Sequence, residues 1–386
     1  MVSSMQTIHQ IYFKSASNMS MLPEASIELV VTSPPYPMIE MWDDLFGNQN
    51  PAIGEALKNK NGLLAFELMH HALDEIWKQV YRVLKPGGFA CINIGDAART
   101  IDENFMLYPN HSRILSGLWQ IGFTALPVIL WRKQTNAPNK FMGSGMLPSG
   151  AYVTLEHEYI LILRKGPKRE FTTLDAKKIR RESAIFWEER NIWYSDVWLD
   201  LKGTTQKFDN AASRLRSAAF PFKVPYRLIN MYSVKGDTVL DPFLGTATTM
   251  WAAMAAARNS IGFEIDQGLK NDIRSKAGDI VASSNEIIDH RIDNHLEFVH
   301  KRTATKGELK YKNKHYHFPV VTRQEIELLL NPVVQVAVDK EEALFTVDYA
   351  SEPRIRFDQK IKNYFTNQQT DLKAKKPKRQ LQLKLP

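Results

Sequence analysis

Short apolar runs alternate with longer amphipathic stretches over the first 280 residues or so. Ile8–Phe13 reads as a strand, Lys14–Asn18 as a polar turn, and Ile27–Val31 as a second strand. From Phe66 to about Leu84, the residues Met69, Leu73, Ile76, Trp77, Val80, Tyr81 and Leu84 recur at three- and four-residue spacing, which predicts an amphipathic helix. Pro86-Gly87-Gly88 predicts its stop, and Phe89–Ile94 a buried strand that ends at Gly95-Asp96. A helix around Ser112–Gln120 and strands over Ala125–Trp131 and Tyr159–Leu163 continue the alternation. The polar, Asn- and Gly-rich stretch Gly47–Gly62 reads as a loop. Near residue 240 a strand ending at Asp241 precedes an Ala/Met-rich helix, Met250–Ala257, and a strand Ser260–Phe263. This rhythm predicts an α/β fold with a mostly parallel sheet, whose ligands sit beyond the carboxyl ends of the strands.

The rhythm breaks twice. Arg164–Ser217 is basic and carries Phe171, Phe186, Trp187, Trp193, Tyr194, Trp198 and Phe208. Such interleaving suits contact with phosphates and bases, and equally an insert with its own small core. Beyond residue 285, Thr322-Arg323-Gln324-Glu325 is a capping box that predicts a helix through Leu330, and Gln335–Ala350 reads as two strands around a Lys340–Glu342 turn.

Composition narrows the field. The 386 residues carry a formal charge of +8, and Ser351–Pro386 alone holds ten Lys/Arg against three Asp/Glu. Arg164–Glu182 holds eight against three, so a polyanionic partner fits. No apolar run approaches the roughly 20 residues that span a bilayer, and no secretory leader is evident, which predicts a cytoplasmic protein with no membrane partner. A single cysteine, Cys91, excludes a disulfide framework and a cysteine-rich zinc site. His70-His71 and His111 lack ligand partners at metal spacing, so no metal is expected.

Two segments carry candidate chemistry. Thr32-Ser33-Pro34-Pro35-Tyr36 follows the Ile27–Val31 strand. Two prolines fix φ and remove two donors, leaving rigid carbonyls beside a ring, which suits a planar base with an amino group. Alone, this is also what a stiff surface turn looks like. Far downstream, Asp241-Pro242-Phe243-Leu244-Gly245-Thr246-Ala247-Thr248-Thr249 joins a strand to a helix through a glycine turn, with Thr248 or Thr249 as cap. Glu264 follows 23 residues after Asp241 at the tip of the next strand, where an acid can bind ribose hydroxyls. The turn lacks the Gly-Lys-Ser/Thr of a phosphate loop and the full dinucleotide fingerprint, so a nucleoside without pyrophosphate fits it better; S-adenosylmethionine is such a ligand.

Taken together, these motifs resemble the circularly permuted DNA amino-methyltransferases of restriction–modification systems, in which a Ser/Asp-Pro-Pro-Tyr/Phe loop comes first, a target-recognition region next, and an Asp-Pro-Phe-x-Gly loop last. Leu84-Lys85-Pro86-Gly87-Gly88, Glu158-Tyr159-Ile160-Leu161, Phe220-Pro221 with Val224-Pro225, and Phe263-Glu264 also match, so the resemblance covers residues 8 to 275. It implies a Rossmann-like methyltransferase fold with a mostly parallel seven-stranded sheet flanked by helices. The expected divisions are a catalytic half (8–163), a target-recognition insert (164–217), a cofactor half (218–284) and an accessory lobe with basic tail (285–386). The tail Leu372–Pro386 would add sequence-independent DNA affinity.

The resemblance also implies roles. Ser33, Pro34, Pro35 and Tyr36 would form the catalytic loop, with Tyr36 stacking on a base flipped from duplex DNA, and Ser33 and the Pro34 carbonyl accepting from its amine. Asp241, Pro242, Phe243, Gly245, Thr246 and Glu264 would line the S-adenosyl-L-methionine site, which Phe220, Pro221 and Pro225 would close. Trp42 and Asp43 could border the base. Serine in the first motif position favours cytosine N4, with adenine N6 as the alternative. A non-catalytic DNA-binding protein on the same fold is less consistent, since a binder needs neither loop. A cognate restriction endonuclease would act separately. Two positions depart from the pattern. Phe13-Lys14-Ser15 replaces a usual Gly-Asp-Ser, which passes an adenine-side contact to Ser15 or Asn18, and Ala247 stands where a second glycine is usual. Cys91, mid-strand, is a buried small hydrophobe rather than the nucleophile that carbon-5 chemistry needs.

Overall fold

The computed structural model describes residues 5–133, 142–202, 220–339 and 343–354. Phe208, the Lys340–Glu342 turn and the tail Leu372–Pro386 lie outside them. One sheet of eleven strands organises the described residues. Its strands are β1 Met5–Tyr12, β2 Ile27–Thr32, β3 Leu84–Ile94, β4 Phe123–Ala125, β5 Ile129–Arg132, β6 His157–Lys165, β7 Val197–Trp198, β8 Thr238–Asp241, β9 Asn259–Phe263, β10 Val333–Asp339 and β11 Leu344–Tyr349. They lie in the order β7-β5-β6-β3-β2-β8-β9-β1-β11-β10, with β4 paired to β6. The centre, β3-β2-β8-β9-β1, is parallel throughout, and β6 and β11 flank it antiparallel. The seven strands from β1 to β5 form the expected sheet; the antiparallel pair β10–β11 widens one edge, and the short β4 and β7 lie at the other. The late strands β8 and β9 therefore occupy the middle of the sheet, between β2 and β1.

Helices cover both faces. The main ones are α1 Asp43–Gln49, α2 Pro51–Lys58, α3 Gly62–Val83, α4 Asn110–Ile121, α5 Leu174–Glu182, α6 Trp187–Trp193, α7 Lys223–Tyr232, α8 Thr248–Ala255, α9 Leu269–Ser275 and α10 Ile280–Lys306. Alternation along the strands makes two cores. Val30, Ala90, Ile92 and Leu240 pack against Met69, Leu73, Trp77 and Val80 of α3 and against α4. Leu29, Val31, Cys91 and Val239 pack against α7 and α8 on the other face. Cys91 is fully buried, and burial pushes its thiol up.

Several expectations are corrected. Gly47–Gly62 is helical: Asn50 caps α2, with Pro51 at its first position, and Asn61 caps α3. The helix read from Phe66 thus starts at Gly62. It ends at Val83, and β3 begins at once, carrying Pro86-Gly87-Gly88 through an irregular register with β2. The run Ala125–Trp131 is divided between β4 and β5. Thr322 and Glu325 do form a capping box, but it opens only a single 3-10 turn, Arg323–Glu325.

The insert is less exposed than its composition suggests. Phe186, Trp193 and Trp198 are buried, and the Trp198 indole donates to the Trp193 carbonyl at 3.0 Å. Phe186 stacks on His295 with centroids 4.1 Å apart. Part of its basic run is paired internally, with Arg169 bidentate on Asp237, Arg181 on Glu327, and the Lys165 ammonium on the Tyr81 and Leu84 carbonyls, while Lys168, Lys177 and Arg180 stay exposed. Phe186, Trp193 and Trp198 are packing elements, whereas Phe171 and Trp187 are half-buried and Tyr194 is exposed. The boundary at 284/285 falls inside α10.

Candidate active site

Strands β2 and β8 are parallel neighbours, with Leu29 opposite Val239 and Val30 opposite Leu240. The two motif loops therefore leave the same edge side by side. They are joined directly: the Thr32 hydroxyl donates to Asp241 Oδ1 at 2.6 Å, in a buried contact across 209 residues of sequence. The Phe243 amide donates to the same oxygen at 3.0 Å. Asp241 is 2 % exposed, and burial raises its carboxyl to about 6. The donors pull the other way, and the charge of Glu264 adds to the rise.

The turn after β8 is held through its backbone amides. The Leu244 amide donates to the Phe263 carbonyl at 2.9 Å, and the Gly245 amide to Glu264 Oε2 at 2.8 Å. Glu264 Oε1 takes the Asp266 amide at 2.7 Å, so this carboxylate braces the turn from the tip of β9. Gly245 has φ +54°, and a Cβ built there meets nothing within 4 Å. A ligand can approach the backbone at that point, so the turn fits a nucleoside methyl donor. Ala247 is the N-cap of α8 and sits at φ +65°, so its departure from glycine is one of backbone strain rather than of volume. Neither Thr248 nor Thr249 caps the helix; Thr249 reaches the Val31 carbonyl at 3.4 Å. Pro242 and Thr246 are buried, and Phe243 meets Trp77 edge-on at 5.7 Å.

The remaining cofactor-side residues are placed differently. Phe220 and Pro221 are buried, with Phe220 in the core that contains Val31 and Ala252. Ser15 is exposed, in a turn closed on Ser17 at 3.0 Å, and the Asn18 side chain accepts from the Ser20 amide. Both lie just past Tyr12, whose carbonyl accepts from the Glu264 amide at 3.1 Å.

On the base side, Pro34 is buried and Ser33, Pro35 and Tyr36 are half-buried. Tyr36 does not hang free. Its hydroxyl donates to Glu158 Oε2 at 3.0 Å, accepts from Asn93 Nδ2 at 2.8 Å, and lies 3.2 Å from Ser33 Oγ. Asn93 Nδ2 also donates to Glu158 Oε2 at 2.7 Å, and the Lys133 ammonium holds Glu158 Oε1 at 3.0 Å. Asn110, fully buried, donates to the Pro37 and Gly95 carbonyls, each at 3.0 Å, pinning the far side of the loop to the end of β3. Arg99 grips Asp43 with both guanidinium nitrogens, so that carboxylate is already engaged.

Asn93, Glu158, Lys133 and Asn110 had no assigned role in the sequence motifs. Glu158 stood inside a matching motif without one, and Asn93 is the penultimate residue of a buried strand, where a polar side chain is a signal in itself. The histidines have structural places. His70 bonds Asn110 at 3.0 Å and is pushed down to about 3 by burial, while His111 lies 2.8 Å from Asp96 and stacks on Tyr159.

The comparisons agree with this geometry. The model of the DNA methylase family of N6/N4 methyltransferases matches residues 27–275. Type II methyltransferase M.MthZI of Methanothermobacter thermautotrophicus is 53% identical over 327 residues, covering 84% of this chain and 91% of that protein. Type II methyltransferase M.MjaI of Methanocaldococcus jannaschii is 50% identical over 283 residues, covering 70% and 92%. Among solved structures, a protein of Thermus thermophilus described as a putative DNA modification methylase and complexed with S-adenosyl-L-methionine superposes with a TM-score of 0.55 at 28% identity, covering 69% of this chain and 92% of that one. The chain belongs to the DNA methylase family of N6/N4 amino-methyltransferases, which take their methyl group from S-adenosyl-L-methionine.

Proposed function

We propose that the protein methylates the exocyclic N4 of cytosine within a specific short site of duplex DNA, as the modification partner of a separately acting restriction endonuclease. The observation that carries the reading is the Thr32–Asp241 hydrogen bond, which fixes the Pro-Pro loop against the glycine turn. The motif order along the chain, with the catalytic loop on β2 and the cofactor turn on the later β8, supports the permuted arrangement. Asp241, Phe243, Gly245, Thr246 and Glu264 hold the methyl donor, whose sulfonium supplies an already activated methyl group. Because the donor is activated, no covalent enzyme intermediate is needed.

The chain's own part is to hold the amine. Base flipping costs a few kcal/mol, offset by stacking on Tyr36. Ser33 Oγ and the Pro34 carbonyl accept from the amine, turn its lone pair toward the methyl group and stabilise the charge that develops on nitrogen. Serine at position 33 favours cytosine over adenine.

Incubation of the purified protein with unmodified genomic DNA and S-adenosylmethionine, followed by nucleoside mass spectrometry, tests the reading. N4-methylcytosine is the expected product. N6-methyladenine alone would overturn the cytosine assignment, and absence of any modified base would overturn the enzymatic reading.

A further inference from the structure

Resting on the amino-methyltransfer reading above, we infer that Glu158 is a positioning residue: acting through Tyr36, it turns the Ser33 hydroxyl so that a lone pair, not a proton, faces the target amine.

Hydrogen-bond direction sets the Ser33 rotor. A carboxylate only accepts, so Tyr36, 3.0 Å from Glu158 Oε2, spends its single proton there. Given a choice between a carboxylate and a neutral hydroxyl, the proton goes to the charge. Asn93 Nδ2 donates to Tyr36 and Glu158 alike, and the reversed amide would set its oxygen against the Glu158 carboxylate at 2.7 Å. The Tyr36 oxygen is thereby left as an acceptor toward Ser33, 3.2 Å away. Ser33 donates its proton to Tyr36, and its lone pairs are left for the base. The order runs from amine to Ser33, to Tyr36, to Glu158, each group donating to the next.

The rest of the cluster keeps this direction. Lys133 holds the second Glu158 oxygen at 3.0 Å. Burial and the Glu158 charge push the Tyr36 phenol well above its usual range, so it remains a donor at neutral pH. Gly95 makes the seat for the ring, since a Cβ there would lie 3.0 Å from Tyr36 Cε2. An isolated serine hydroxyl rotates to suit either role. Here the rotor is set before the base arrives.

The test compares single-turnover methyl transfer by the full chain and its Glu158→Gln, Tyr36→Phe and doubly substituted forms, with affinities for S-adenosylmethionine and DNA measured in parallel. Each single change should slow transfer about 10- to 100-fold, the range for outer partners that orient a reacting group, and leave both affinities within about twofold. The double variant should be no slower than Tyr36→Phe, because both changes cut one relay, whereas residues acting independently would give losses that multiply; the unchanged affinities separate the relay from a merely structural role. Should Glu158→Gln fail to fold, Tyr36→Phe, which keeps the ring, carries the test: added to Ser33→Ala it should slow transfer no further. Transfer by Glu158→Gln within twofold of the parent, or multiplying losses, would overturn the relay. A parent that methylates no DNA would instead overturn the reading on which it rests.

Discussion

Two proline-bearing loops leave one edge of the sheet from adjacent strands, and they are held by opposite means. The turn after β8 is held locally: its own amides, Phe243, Leu244 and Gly245, bond to Asp241, Phe263 and Glu264, all within 24 residues of one another. The loop after β2 has its prolines for stiffness but takes its side-chain restraints from afar, from Asn93, Asn110 and Glu158. A turn whose amides are held by acceptors of its own segment, Asp241 and Glu264 among them, keeps one shape and so one ligand. A loop steered by distant side chains can be retuned for a different base without moving the methyl donor. On the proposed reading a division of labour would follow, in which the β8 turn fixes what is transferred and the neighbours of the β2 loop fix what receives it.

The largest effects should separate the two. On the proposed reading Ser33→Ala would remove an acceptor for the amine and should slow single-turnover transfer about 10²- to 10³-fold with S-adenosylmethionine affinity within about twofold. Asp241→Ala leaves the Thr32 hydroxyl and the Phe243 amide without their acceptor, and should weaken S-adenosylmethionine binding by more than about tenfold while also abolishing transfer. Calorimetric titration with the cofactor distinguishes them. Equal loss of affinity in both variants would break the comparison.

A subtler substitution at the same aspartate sharpens it. Burial raises the Asp241 carboxyl from 3.8 to about 6, so the folded chain holds this proton more tightly than the unfolded chain does. Its contribution to stability is therefore complete below about pH 4, declines as pH rises through 6, and is lost at neutrality. Asp241→Asn keeps an acceptor for Thr32 and Phe243 but has no charge to bury. In denaturant melts without ligand it should be more stable than the parent at pH 7.5, by up to about 3 kcal/mol, and the gain should vanish near pH 4. A less stable variant at pH 7.5 would mean that the carboxylate is well solvated. Loss of transfer alongside the gain would mark a group kept for its ligand at the expense of the fold.

The same contrast explains what could be read from the chain. The β8 turn was legible because its constraints are local: Asp241, Gly245 and Glu264 lie close in sequence, and their spacing implies their geometry. The Pro-Pro loop was visible as a motif, but its steering was not. Glu158 is 122 residues from Tyr36, and the antiparallel β6–β3 register that brings it near Asn93 depends on a strand order no local pattern states. The insert's aromatics were ambiguous for the same reason, since their partners, Phe186 on His295 among them, come from other segments. Residues 47–62 were a different failure, because Asn50-Pro51 and Asn61 are helix starts that Asn/Gly composition masked. The left-handed backbone at Ala247 carries no sequence signal at all.

Within the β8 turn, Gly245→Ala should have an intermediate effect. The new methyl meets no atom, so the stability loss is that of an L-residue held at φ +54°, about 1–2 kcal/mol. The methyl also enters the space open to the ligand, and S-adenosylmethionine affinity should fall about tenfold, a factor that corresponds to about 1.4 kcal/mol. A fall in stability without a fall in affinity would place the donor away from this glycine.

The smallest effect is expected two residues on, where the chain already bears that strain. Ala247 is wholly buried at φ +65°. Ala247→Gly relieves about 1–2 kcal/mol of left-handed backbone and gives up one buried methyl, about 0.8 kcal/mol. It also adds freedom to the unfolded chain, which takes back several tenths more. The terms nearly cancel, so the change should stay within about 1 kcal/mol of zero in either direction, read as a small shift in denaturation midpoint with unchanged slope and unchanged S-adenosylmethionine affinity. A loss above about 1 kcal/mol would show that the methyl group, packed with Met250 and Trp251 under the turn, matters more than the backbone it strains. In that case the β8 turn would owe its shape to side-chain packing as the β2 loop does, and the contrast between the two would narrow.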